Sequence, residues 1–331
     1  MTGPVAALLA DGRLHLQHGP IDLIIGAVGD EDEVLRAYRQ VTAAFDGVLE
    51  GLVAELPLLR APVREPLPLA RNPIARRMIA AVWPYRAVFI TPMAAVAGAV
   101  ADAMLQAMVA GRNLRRAYVN DGGDIAIRLA PGEAMRVGVA GSLEDGEPDA
   151  TLDGFATIDS ASPVRGVATS GRGGRSLSLG IADSVTILAA TGAEADAAAT
   201  IVGNAVNVDS AAIGRLAASQ AKDDSDLGDI PVTVAVGPLG DDEIARALDN
   251  GAAEAGRLLA TGLIHGALLR LRGERRVVGG PRPSRRSLSL APQDDAIPSG
   301  SKPTRHPEEG RRPVSKDEKR RKRGNPEAKR K

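Results

Sequence analysis

Asp196 and Thr200 stand four residues apart in E-A-D-A-A-A-T, a run otherwise almost wholly alanine. On a helix that spacing puts both side chains on one face, one turn from each other. A carboxylate and a hydroxyl so placed can take a divalent cation, and an all-oxygen donor set favours Mg2+. Imidazole and thiolate do not compete: the chain has no cysteine, and His15, His18, His265 and His306 all lie outside this run. The alternative for Thr200 is structural, a hydroxyl bonded back to the carbonyl of residue 196. Upstream, Thr169-Ser170-Gly171 opens a glycine-rich loop carrying Arg172 and Arg175. Exposed amides, hydroxyls and two guanidiniums suit phosphate oxygens. Residues 166 to 204 therefore read as half of a nucleotide-phosphate and metal site.

Two further groups bear on that reading. Asn120-Asp121-Gly122-Gly123-Asp124 lies between two strand-like runs, and by itself it is a hairpin corner, since Asp-Gly and Gly-Gly are common turn chemistry. Asp102 sits in the middle of an apolar, alanine-rich helix. A buried carboxylate has to be paired, hydrogen-bonded or metal-bound, because an isolated one costs several kcal/mol. A neighbouring arginine is one candidate partner.

The elements that must position these groups follow from periodicity and punctuation. Arg13–Gln17 and Ile21–Val28 predict two strands around His18-Gly19-Pro20. Residues 31 to 56 carry helical spacing, ending before Pro57. Positions 57 to 73, with five prolines, predict an extended connection. A short helix over Ile74–Val82 and a strand at Val88–Ile90 come next. Thr91-Pro92 then opens the alanine-rich helix, with Thr91 as N-cap. Its small residues, Gly98 among them, leave room for another backbone or a flat ligand. Residues 115 to 129 predict a hairpin, Met135–Ala140 and Phe155–Ile158 two more strands, and Ser142–Asp153 an acidic loop. Thr191 with Glu194 forms a capping box for the helix bearing Asp196. A helix over Ser210–Ser219, a strand at Val232–Val236 and a helix over Asp241–Leu259 complete the body.

Composition bounds the class. With 331 residues and 44% hydrophobic content the chain can bury a sizeable core, built from aliphatic side chains because aromatics are 2%. Without cysteine, disulfides, thiolate metal sites and a thiol nucleophile are excluded. The first residues lack the basic region of a signal peptide, and Met93–Ala110, interrupted by Gly98, Asp102 and Gln106, reads as a buried helix rather than a membrane span. A cytoplasmic protein is the expectation. The net charge of zero conceals a split: residues 281–331 hold 16 Lys and Arg against 7 Asp and Glu, so the body carries the opposite excess. That Pro- and Ser-rich stretch predicts a disordered basic tail, 281–331, after a folded domain, 1–280. The tail fits loose docking on its own acidic body better than nucleic-acid contact.

Three motifs in order, A-G-A-V-A-D at 97–102, Y-V-N-D-G-G-D-I at 118–125, and A-T-S-G at 168–171 leading to A-D-A-A-A-T at 195–200, resemble the ApbE-like superfamily, which includes FAD:protein FMN transferases. The likeness is nearer to its uncharacterised-protein-family branch, through G-R-S-L-S-L-G-I-A-D-S-V-T, and it covers roughly residues 10 to 265. The resemblance implies an α+β fold of T-fold type, with antiparallel sheet packed against helices. It also implies a flavin nucleotide, FAD, as ligand or substrate, Mg2+ on Asp196 and Thr200 with a backbone carbonyl near Val96, and a protein Thr or Ser hydroxyl as acceptor of FMN. Asn120, Gly122, Gly123, Asp124 and the Thr169-Ser170-Gly171 loop with Arg172 and Arg175 would line the nucleotide pocket. The chain departs from the transferases where Ala97 and Ala99 replace their lysine and tyrosine, and where their H-x-I-x-D-P segment gives way to G-R-G-G-R-S-L-S-L-G. An alternative is a non-catalytic ApbE-like module that binds a small ligand or a protein.

Overall fold

In the computed structural model, residues 3–140, 152–174, 176–223, 225–280 and 296–297 are described. The chain begins with β1 (Val5–Leu8), β2 (Leu14–His18) and β3 (Ile21–Gly29). The helices α1 (Glu31–Phe45), α2 (Val48–Val53), α3 (Leu56–Leu59), α4 (Pro73–Val82) and α5 (Val96–Val109) follow. Next come β4 (Leu114–Asp121), β5 (Asp124–Leu129), β6 (Ala134–Ala140), β7 (Leu152–Asp159), β8 (Gly166–Ser170) and β9 (Ser184–Ala189). The remainder is α6 (Gly192–Ala205), β10 (Ile213–Ala217), α7 (Ala218–Ala221), β11 (Pro231–Val236), α8 (Asp241–Ala260), β12 (Gly266–Leu271), β13 (Glu274–Gly279) and β14 (Ala296–Ile297).

Nine strands form one sheet in the order β1-β2-β3-β4-β5-β8-β9-β12-β13, and every neighbouring pair is antiparallel. The class is therefore α+β, an antiparallel sheet packed against helices. The interior strand β9 is buried at all six positions. α6 packs on β8 and β9 and α5 on β4 and β5, and the buried residues of the two helices are largely alanine, glycine and valine. Small side chains let the helices lie close to the sheet and to each other. A second, smaller core gathers Ile125, Ile127, Leu129, Val137, Ile158 and Val167 between β5, β8 and the β6–β7 hairpin. The run Pro92–Val109 is long and apolar enough to cross a membrane by composition, but half of it is buried inside the fold.

Several expected boundaries shift. The helix foreseen over 31 to 56 is broken at Gly47, whose φ of 75° is a left-handed conformation that glycine adopts without steric penalty. Within the proline-rich 57 to 73, Pro57 sits in the first turn of α3, where its missing N–H costs nothing. Val88–Ile90 is not a strand; Ile90 only accepts a bond from the Val63 amide, at 2.9 Å. The helix expected over Ser210–Ser219 is instead β10, paired with β11. There the cross-strand partner outweighs the local alanine content. Thr91 does not cap: Pro92–Ala95 is a 3-10 turn before α5, and the Thr91 hydroxyl donates to Asp226. The acidic stretch 142–151 and the tail 281–295 and 298–331 lie outside the described residues.

Candidate functional site

α6 begins where Thr191 Oγ1 accepts the Glu194 amide at 3.2 Å, the first half of the expected capping box. One turn into the helix, Asp196 is half-buried and aimed at the start of α5, where the Gly98 amide donates to its Oδ2 at 3.1 Å. It does not face bulk water. The α5 N-cap position is Ala95, which has no side-chain acceptor, so the orphan amides of that first turn take a carboxylate from another helix.

The electrostatics are one-sided. Burial pushes the Asp196 carboxyl well above the usual carboxylate range, the charge of Asp124 raises it further and Asp121 adds to that, while the Gly98 and Ala97 amides oppose the shift. Asp121 is 4% exposed and faces Asp124 across the two-residue Gly122-Gly123 turn. Thr200 is half-buried on the same helix face, and no hydrogen bond joins its hydroxyl to the carbonyl of Asp196 among the described residues. Thr42 makes that kind of bond to Tyr38, at 2.8 Å, so the structural alternative is realised elsewhere in the fold and not here. Among the described residues no three or more His, Asp or Glu side chains gather as a metal cluster. A cation at Asp196 would therefore draw on hydroxyl and carbonyl oxygens.

The β4–β5 corner is the tight turn foreseen. Gly122 and Gly123 have φ of 62° and 119°, and Asn120 Oδ1 accepts the Gly123 amide at 2.8 Å. A side chain built on Gly123 would meet nothing within 4 Å although the residue is buried. That leaves a hollow beside the turn. Asp124 Oδ1 accepts the Thr169 amide at 3.2 Å, which ties this turn to the T-S-G loop. The Thr169 hydroxyl is 2.9 Å from that of Thr186, and the Ser170 side chain faces Gly203 of α6. Gly171 cannot carry a side chain, because a Cβ there would lie 2.4 Å from the Asp183 carbonyl.

Asp124 thus relates to both groups, accepting the Thr169 amide and acting on Asp196 through its charge, while Ser170 lies against Gly203, about two turns further along α6 than Asp196. Arg172 has a structural engagement that the sequence did not reveal. Its guanidinium pairs with Asp183 at 3.2 Å and its amide donates to the Ala182 carbonyl at 2.8 Å. Asp183 also accepts the Arg272 amide at 2.5 Å, so this ion pair anchors the loop. Arg175 lies outside the described residues. Sequence reasoning also passed over Asp121 as a charge acting on Asp196, although it stands inside the motif that was read.

Asp102 meets backbone rather than arginine. The Gly192 amide donates to its Oδ1 and the Ala193 amide to its Oδ2, both at 2.9 Å. Burial raises its carboxyl above the ordinary value, and those two amides, with Arg77 beyond them, hold the rise back.

With this geometry in hand, the relatives can be placed. A UPF0280 protein of Methanothermobacter thermautotrophicus is 35% identical over 147 residues, which is 43% of this chain and 52% of that protein. A UPF0280 protein of Methanospirillum hungatei is 30% identical over 189 residues, 56% of this chain and 73% of that protein. The chain spans about half the length of the first curated relatives it matches. Among solved structures, the Thermotoga maritima ApbE protein is similar at 13% identity and TM-score 0.35, covering 84% of this chain and 96% of that one. The apo flavinyl transferase ApbE of Pseudomonas stutzeri is similar at 12% identity and TM-score 0.37, covering 84% and 95%. Residues 6–277 match the model of the family described as AbpE bacteria, and the chain belongs to that family, an ApbE-like group with UPF0280 relatives.

Proposed function

We propose that this protein binds a flavin nucleotide, FAD, together with Mg2+, along α6, with Asp196 and Thr200 on the metal and Asp124 and the T-S-G loop on the nucleotide. The observation that carries the reading is the charge at Asp196. A half-buried carboxylate has two further aspartates as its strongest charged neighbours, an arrangement that a divalent cation relieves. Thr200, whose hydroxyl is not spent on the carbonyl one turn back, supplies a second oxygen on the same face. The donor set therefore fits a hard cation.

Asp196 and Thr200 would hold the metal, with a backbone carbonyl near Val96. A divalent cation, when bound, neutralises diphosphate charge and stabilises the phosphate that departs. Asp124 keeps the T-S-G loop beside the hollow at Gly123 by accepting the Thr169 amide. Arg172 and Arg175 are proposed to approach the phosphate oxygens, Arg172 while sharing its guanidinium with Asp183. If the family's transfer chemistry is retained, the hydroxyl oxygen of an acceptor Thr or Ser bonds to the FMN phosphorus. The anhydride bond breaks, AMP leaves, and the hydroxyl proton passes to water. The engagement of Arg172 by Asp183 favours a second reading, in which the site binds its nucleotide without transferring it. The body, 1–280, is proposed to carry the site and to work in the cytoplasm, with 281–331 as an appended basic tail.

Titration of FAD by fluorescence, with Mg2+ and with EDTA, tests this. The expected result is binding that requires the metal and is lost in Asp196→Ala. Absence of binding in both conditions overturns it. Release of AMP on adding acceptor proteins separates transfer from binding alone.

A further inference from the structure

α5 and α6 are joined by a reciprocal contact. In each, a glycine in the first turn is followed four residues later by an aspartate: Gly98 and Asp102 in one, Gly192 and Asp196 in the other. Asp102 accepts the Gly192 and Ala193 amides, both at 2.9 Å, and Asp196 accepts the Gly98 amide at 3.1 Å. Each helix therefore supplies the carboxylate that satisfies the other's opening turn. The glycines permit the approach. A Cβ on Gly98 would stand 2.2 Å from the Gly192 carbonyl oxygen, and one on Gly192 would stand 3.0 Å from that of Gly98.

The two halves differ in what surrounds the carboxylate. The strongest charged neighbour of Asp102 is Arg77, and Arg77 donates to Gln106, one turn beyond Asp102, at 2.8 Å. The strongest charged neighbours of Asp196 are Asp124 and Asp121, and one turn beyond it stands Thr200. One half of the clasp thus has a guanidinium near it, bonded to Gln106, while the other has carboxylates as its charged neighbours.

We infer that Asp102 is a positioning residue for the cation site: by fixing the first turn of α6 against α5 it sets where Asp196 and Thr200 are presented. This rests on the proposed function for its consequence in metal binding, though not for the contact itself. Asp102 holds two amides of α6 directly from α5, so its contact does not pass through the opposite half. The amide of Gly98, held by Asp196 and not by Asp102, reports whether the influence crosses from one half to the other.

The test compares the full-length wild-type chain, Asp102→Asn, and Leu248→Ala as a core variant destabilised away from the clasp. Amide hydrogen exchange is read in metal-free protein, and Mn2+ binding is followed by electron paramagnetic resonance. The expected result for Asp102→Asn is about tenfold or more faster exchange at Gly98 and about tenfold or more weaker Mn2+ binding. Leu248→Ala should keep the wild-type Mn2+ affinity. Faster exchange confined to Gly192 and Ala193, with Gly98 and Mn2+ affinity unchanged, overturns the inference. Wild-type protein that binds no Mn2+, with Gly98 responding as expected, sinks the proposed function and leaves the positioning role standing. If Asp102→Asn does not fold, Asp102→Ser, which still accepts one amide, is read against the same outcomes.

Discussion

Replacing Gly98 by alanine probes the helix crossing directly. The added methyl would lie 2.2 Å from the Gly192 carbonyl oxygen, 2.4 Å from its carbon and 2.7 Å from the Ala193 nitrogen. All three are backbone atoms, so no rotamer change relieves the clash. The helices must part by about 1.2 Å to reach ordinary contact. Overpacking of this kind costs about 1–3 kcal/mol. Parting also lengthens the amide–carboxylate bonds at Asp102 and Asp196, and losing one of them adds about 1.5–3 kcal/mol. Against this stands about 1 kcal/mol gained from alanine's better helix propensity. The net expectation is a loss of about 2–5 kcal/mol, seen as a fall in Tm of roughly 4–20 °C for a domain of this size. Differential scanning calorimetry and urea titration measure it. Gly256→Ala in α8 is the internal control, since a Cβ there meets nothing within 4 Å, and it should gain up to about 1 kcal/mol. A Gly98→Ala protein as stable as wild type would show that the helices do not cross at this distance.

Other expectations follow from the same geometry. In metal-free buffer, Asp196→Asn should be more stable than wild type at pH 7. The folded carboxyl is raised above its unfolded value of 3.8, so ionising it penalises the native state. That penalty is full above the folded pKa and fades as pH falls towards 3.8, so the advantage of Asn should shrink on acidification in thermal melts. The same variant should lose any Mg2+-dependent FAD binding. Thr200→Val should weaken Mg2+-dependent binding about tenfold. Its Tm should stay near wild type, because no hydrogen bond to the Asp196 carbonyl is there to be lost. Removing residues 281–331 should leave FAD titration unchanged while abolishing any salt-sensitive retention on DNA.

Local features were legible before the fold was known. The Thr191 cap, the alanine run of α6 and the Gly122-Gly123 corner each depend on contacts within a few residues, and each appears in the structure. Gly47 shows how far such reading extends. Its left-handed φ ends α1 inside a stretch whose apolar spacing continues as though one helix ran through it. β10 shows the opposite failure, since an alanine-containing segment became a strand because β11, from a later part of the chain, offered it a ladder.

The sequence by itself determined that Asp196 and Thr200 share a helix face, that the T-S-G loop precedes a buried strand, and that the family motifs stand in order. Tertiary structure alone decided what each charge meets. Asp102 found the amides of Gly192 and Ala193, 90 and 91 residues away, and Arg172 found Asp183 across a loop. Asp196 was set beside Asp124 and Asp121. Helical spacing is written in neighbouring residues, whereas the desolvation and charge that give a carboxylate its chemistry come from segments that only folding brings together.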